Sequence, residues 1–130
     1  MKTASRRATS AYGKAQGCAP QPWMVAILLN GVINHLEAAE RACADGRRAE
    51  SMRRASKAIA ILQGLRDNLR PEVSRRLTDR LGQFYGTSMV RIAHLTRSGF
   101  DANTCQRVLA DVKLVQEAWA TLDDRGSTID

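Results

Sequence analysis

The sequence predicts an all-α protein, an antiparallel up-down four-helix bundle with a flexible N-terminal arm. Three observations carry this. Ala, Leu and Arg, all strong helix formers, dominate the 130 residues. No stretch alternates Val, Ile or Thr with polar residues, and no Asn-Gly or Asp-Gly pair joins two such stretches, so strand signals are missing. Four apolar stripes at helical spacing follow one another with short breaks, and amphipathic helices of about 20 residues joined that way pack most simply as a bundle.

Each element has its own signals. Residues 1–19 are rich in Ser, Thr, Ala, Gly and charge, with Tyr12 as the single aromatic, which reads as a flexible arm. Residues 20–122 form the bundle. Pro20 and Pro22 bar a helix from running in, and Pro22 suits a first helical position, so the first helix is expected over about Pro22 to Ala44, ending at Asp45-Gly46. It is apolar nearly all round from Trp23 to Ile33, which makes it the most buried element. The second is expected from about Ala49 to Asn68, stopped by Pro71, with Met52, Ala55, Ile59, Leu62 and Leu69 on one stripe. The third is expected from about Glu72 to Arg97, carrying Val73, Leu77, Leu81, Phe84, Ile92 and Leu95. Ser98-Gly99 ends it. The fourth has Asp101 or Asn103 as N-cap and the stripe Cys105, Val108, Val112, Val115, Trp119, Leu122, with Trp119 read as core. Residues 123–130 read as a polar tail.

One domain with a single core fits this length. The cysteines, Cys18, Cys43 and Cys105, are widely spaced and odd in number, with no CxxC pair. That argues for a reducing compartment and against a disulfide framework or a zinc site. The apolar run from Trp23 to Ile33 contains Asn30 and falls well short of the roughly 18 residues a membrane span needs. The expectation is a soluble cytosolic protein with no membrane insertion.

Little in the sequence can carry chemistry. His35 and His94 sit on different helices, and neither takes part in the Glu-x-x-His spacing by which bundles bind metals. There is no Gly-rich phosphate loop, and the Ser and Cys side chains lack an obvious base with an orienting acid. No enzyme activity, cofactor or metal is expected. Charge is more informative: the net charge is +7, and half the cationic residues fall between Arg47 and Arg80. Such a cluster reads either as a basic face for nucleic acid or as the solvated side of Arg-rich helices; no aromatics interleave it as base stacking would require. Gly31, inside the apolar first helix, marks a close approach by another backbone, of a partner or of a neighbouring helix.

In order and spacing, from Ala11 to about Leu122, the chain resembles the flagellin-specific export chaperones, the FliS family. The marks are Ala11-Tyr12 in the arm, Pro22 opening the first helix, Leu28-Leu29-Asn30-Gly31, Ala-rich turns to Asp45, and Lys57-Ala58-Ile59 with Leu62 and Leu65. Leu81, Phe84-Tyr85 and a last helix closing on Trp119 complete them. The resemblance implies a chaperone that binds the disordered C-terminal segment of flagellin in the cytosol. It would block premature polymerisation and present the client to the flagellar export apparatus. It needs apolar grooves between helices rather than catalysis, and it implies client contacts at Tyr12, Leu28, Leu29, Gly31, Val32 and Tyr85. A small basic nucleic-acid-binding or regulatory protein is the alternative, resting on the Arg47 to Arg80 cluster alone.

Overall fold

The computed structural model describes residues 21–129, with side chains from 21 to 121. The expected arm, Tyr12 included, lies outside the described residues. Four helices follow in order: α1 Pro22–Ala44, α2 Arg48–Asp67, α3 Arg75–Ser98 and α4 Ala102–Ile129. There are no strands among the described residues, and the architecture is the all-α bundle expected.

Local chemistry explains the boundaries. Pro22 opens α1, where its missing N–H removes nothing, and the Gln21 carbonyl accepts from the amides of Met24 and Val25. At the other end Gly46 takes φ 77°, Arg47 N–H donates to Ala42 O at 2.8 Å and Gly46 N–H to Cys43 O at 3.1 Å. This is a Schellman closure, which depends on the left-handed glycine. The Asp101 carboxylate caps α4, accepting from Thr104 N at 3.0 Å and Thr104 Oγ1 at 2.8 Å. Those two bonds hold its pKa below the usual carboxylate range.

Two boundaries differ from expectation. α3 begins at Arg75, not Glu72: Val73 N–H closes a turn onto Arg70 O, and extended Ser74 accepts from Leu77 N as N-cap. Val73 therefore sits in the turn and is 42% exposed rather than in the helical stripe. Met52, also expected on a buried stripe, is 52% exposed, because Ser51 occupies the inward position and donates to Ala39 O of α1 at 2.8 Å. The backbone of α4 also continues through the expected tail, to Ile129.

α1 is the hub. It packs on α2 and α4, α2 packs on α3, and α3 meets α4 only along a short stretch. Val25, Leu29, Val32, Leu36 and Ala39 of α1 are fully buried, against Ala58 and Leu62 of α2 and Val112 of α4 in the same core. Small side chains at Ala39, Ala42, Ala55 and Ala58 let α1 and α2 approach closely. At Gly31 the neighbour within α1–α2 is a side chain rather than a backbone: a methyl there would stand 3.3 Å from Ile61 Cδ1 of α2. Cys105 is fully buried, and burial pushes its thiol up to about 12, whereas Cys43 is half-buried and donates to Gly99 O at 3.3 Å. Trp119 is core, at 6% exposure.

Candidate partner-binding surface

A helix that is apolar all round cannot hide every side chain in a four-helix bundle, and α1 shows the consequence. Its buried face follows Val25, Leu29, Val32 and Leu36, so Trp23, Met24 and Ile27 are turned outward, Ile27 to 62% exposure. Across from them α2 offers only small or slender side chains. Between the two helices lies a groove of about 450 Å³ lined by Met24, Leu28, Ala60, Ile61, Gly64 and Leu65. Asn68 closes its end, with its side-chain amide tied to Gly64 O at 2.7 Å. No lining residue is charged. Gly64 is open, since a methyl there would meet nothing within 4 Å. The groove can take up apolar side chains and carries no group suited to proton transfer.

The expected contact residues divide. Leu28 lines the groove, and Gly31 faces Ile61 at the α1–α2 contact. Leu29, Val32 and Tyr85 are fully buried and belong to the core of the closed bundle. The reason is rotational: Leu29, Val32 and Leu36 share the inward stripe of α1, one position round from Leu28. Met24 and Gly64 line the same groove, and Trp23 and Ile27 are exposed on α1, none of them among the expected contact residues. The available signal was the excess of apolar residues in α1 beyond one helical face.

The basic cluster is not one face. Glu50 accepts two bonds from Arg53, at 2.9 and 2.8 Å, and one from Arg54 at 3.0 Å. These bonds hold its carboxyl well down, to about 2. Arg54 also lies 3.2 Å from His35 of α1. Burial, with the charges of Arg54, Lys57 and Arg53, depresses the pKa of that imidazole. Arg66 lies over α3, where a methyl on Gly86 would come within 3.2 Å of its Nη1. Arg80 sits farther round α3, lining a groove with Arg91 and with Asp111 of α4.

Among the described residues no group of three or more His, Cys, Asp or Glu side chains is placed to hold a metal ion. No helix there is long and apolar enough to cross a membrane. The sequence profile of the family described as flagellar protein FliS matches residues 5–126, almost the whole chain. Comparison with curated proteins gives no match. A bundle of four helices with an uncharged interhelical groove, matched by that profile over nearly its full length, belongs to the FliS family of flagellar chaperones.

Proposed function

We propose that the chain is an export chaperone for flagellin: it binds the disordered C-terminal segment of the client, prevents premature polymerisation and supports delivery to the flagellar export apparatus. The observation that carries this reading is the α1–α2 groove, apolar and uncharged, with Trp23, Met24 and Ile27 exposed beside it. An amphipathic segment folding into such a groove covers its own apolar face and the groove together, at about 25 cal/mol per Å² of apolar surface removed from water. The ordering cost of the segment is met only in the complex, so the chaperone can release it again. Tyr12, within residues 1–19, is a further partner-contact residue in this reading. Nothing in the task calls for catalysis, a nucleotide or a metal.

Titration calorimetry with full-length flagellin and with flagellin lacking its C-terminal segment tests the reading. One-to-one binding with a negative heat-capacity change is expected for the full-length client only. Ile27→Asp, at an exposed position, should leave the melting temperature unchanged and weaken binding at least tenfold. Deleting residues 1–17 should tighten binding through faster association where Tyr12 competes with the client, or weaken it through faster dissociation where the client packs on Tyr12; stopped-flow rates separate the two. Equal heats for the two flagellins would overturn the reading.

A further inference from the structure

The seam between α3 and α4 is the most thinly packed side of the bundle. One ion pair spans it, Arg91 Nη1 to Asp111 Oδ2 at 2.8 Å. Beside that bridge a groove of about 360 Å³ opens, lined by Arg80, Gln83, Phe84, Thr87 and the bridging pair. Phe84 is half-buried there. The two most exposed large hydrophobic residues of the described chain lie on the same two helices, each about one turn from a groove-lining residue: Leu114 at 69%, beyond Asp111 on α4, and Val90 at 67%, beyond Thr87 on α3. Because the helices run antiparallel and are levelled by the Arg91–Asp111 pair, these two side chains stand within about one helical turn of each other along the groove.

The charge around this apolar strip is one-sided. α3 carries Arg75, Arg76, Arg80, Arg91 and Arg97 against a single acid, Asp79. Of the five, only Arg91 has an ion-pair partner among the described residues. Arg76, Arg80, Thr87, Arg91 and His94 recur at steps of four, seven, four and three residues, each close to whole helical turns, so an edge carrying three arginines runs about 27 Å along α3. Residues 1–20 cannot fill it favourably: they carry Lys2, Arg6, Arg7 and Lys14 and no acid. A second copy, also at net +7, is disfavoured on the same ground.

We propose that the α3–α4 seam is a second docking surface, separate from the α1–α2 groove, and that its occupant is an acidic amphipathic helix of a partner protein. Apolar side chains of that helix seat over Phe84, Val90 and Leu114, and its flanking carboxylates meet Arg76 and Arg80. The apolar strip favours a helix over a nucleic acid, which would need stacking faces where this seam offers Val and Leu. An 18-residue helix matches the length of the basic edge.

The test uses the full chain and an 18-residue fluorescein-labelled synthetic helix with Leu at every third or fourth position and Glu on both flanks. A control replaces every Glu by Lys, and a 20-nucleotide oligo-dT provides the phosphate alternative. The acidic peptide should bind with salt-sensitive micromolar affinity and shift amide resonances of α3 and α4. The Arg76→Glu, Arg80→Glu double variant should weaken it about tenfold, and Leu114→Ser by a similar factor, with unchanged melting temperatures. Ile27→Asp should leave peptide binding unaltered, which separates this surface from the α1–α2 groove whether or not flagellin is the client there. Equal binding of the Lys peptide, shifts confined to α1 and α2, oligo-dT binding that ignores Leu114→Ser, or displacement of the peptide by the flagellin C-terminal segment would each overturn the proposal.

Discussion

Replacing glycine by alanine at three positions should give three different outcomes, because the three sites differ in one physical respect each. Gly64 lies in α2 with helical backbone and nothing within 4 Å of an added methyl. Gly64→Ala therefore gains helix propensity without steric cost and should stabilise by about 0.5–1 kcal/mol, the lower part of that range reflecting its place near the helix end. That raises the melting temperature by roughly 2–5 °C for a domain of this size. Gly31→Ala has the same propensity gain, but its methyl would sit 3.3 Å from Ile61 Cδ1, so the Ile61 side chain must give way by a few tenths of an ångström. The gain and the displacement nearly cancel, and the change should fall within about 0.5 kcal/mol of zero. Gly46 has open space yet φ 77°, and Gly46→Ala should destabilise by about 1 kcal/mol through left-handed strain at the Schellman closure. Urea denaturation of the three variants gives midpoints that should rank Gly64→Ala above Gly31→Ala above Gly46→Ala. Any inversion of that order would refute the reasoning from space and backbone angle.

Tyr85 is fully buried, and its hydroxyl has no hydrogen-bond partner among the described residues. Tyr85→Phe removes that unsatisfied group and should stabilise by about 1–2 kcal/mol in urea unfolding; a loss of stability would reveal a partner for the hydroxyl. Trp119→Ala should cost roughly 3–5 kcal/mol, as truncation of a buried Trp does, and an unchanged thermal midpoint would remove Trp119 from the core. Glu50, held down to about 2 by Arg53 and Arg54, is the pH-dependent case. A carboxyl with a depressed folded-state pKa stabilises above its unfolded value near 4.5 and loses that contribution as the pH falls toward 2. The melting-temperature difference between the wild type and Glu50→Gln should therefore shrink over that window; a difference constant from pH 6 to 2 would show that the fork contributes nothing.

Much of this protein was determined by its sequence alone. Pro22 and Gly46 bound α1, Asp101 starts α4, and the Cys105–Trp119 stripe is buried as its spacing demands. These signals are local, set by a missing N–H, a left-handed φ or a side-chain cap, so they need no knowledge of neighbours. Ser74 acts by the same means, yet the apolar Val73 extends the helical pattern backward past this cap, so periodicity alone points to Glu72. What only the tertiary structure decided is which way each helix faces. A repeat of 3.6 residues groups side chains into stripes, yet in α1 nearly every stripe from Trp23 to Ile33 is apolar, and periodicity cannot rank them. Packing ranks them: α2 and α4 claim Val25, Leu29 and Val32, which leaves Trp23, Met24 and Ile27 outward. The same competition put Ser51 rather than Met52 into the α1–α2 contact and drew Tyr85 into the core. An apolar residue is buried when a neighbouring helix covers it, and that depends on how all four helices divide a limited interior.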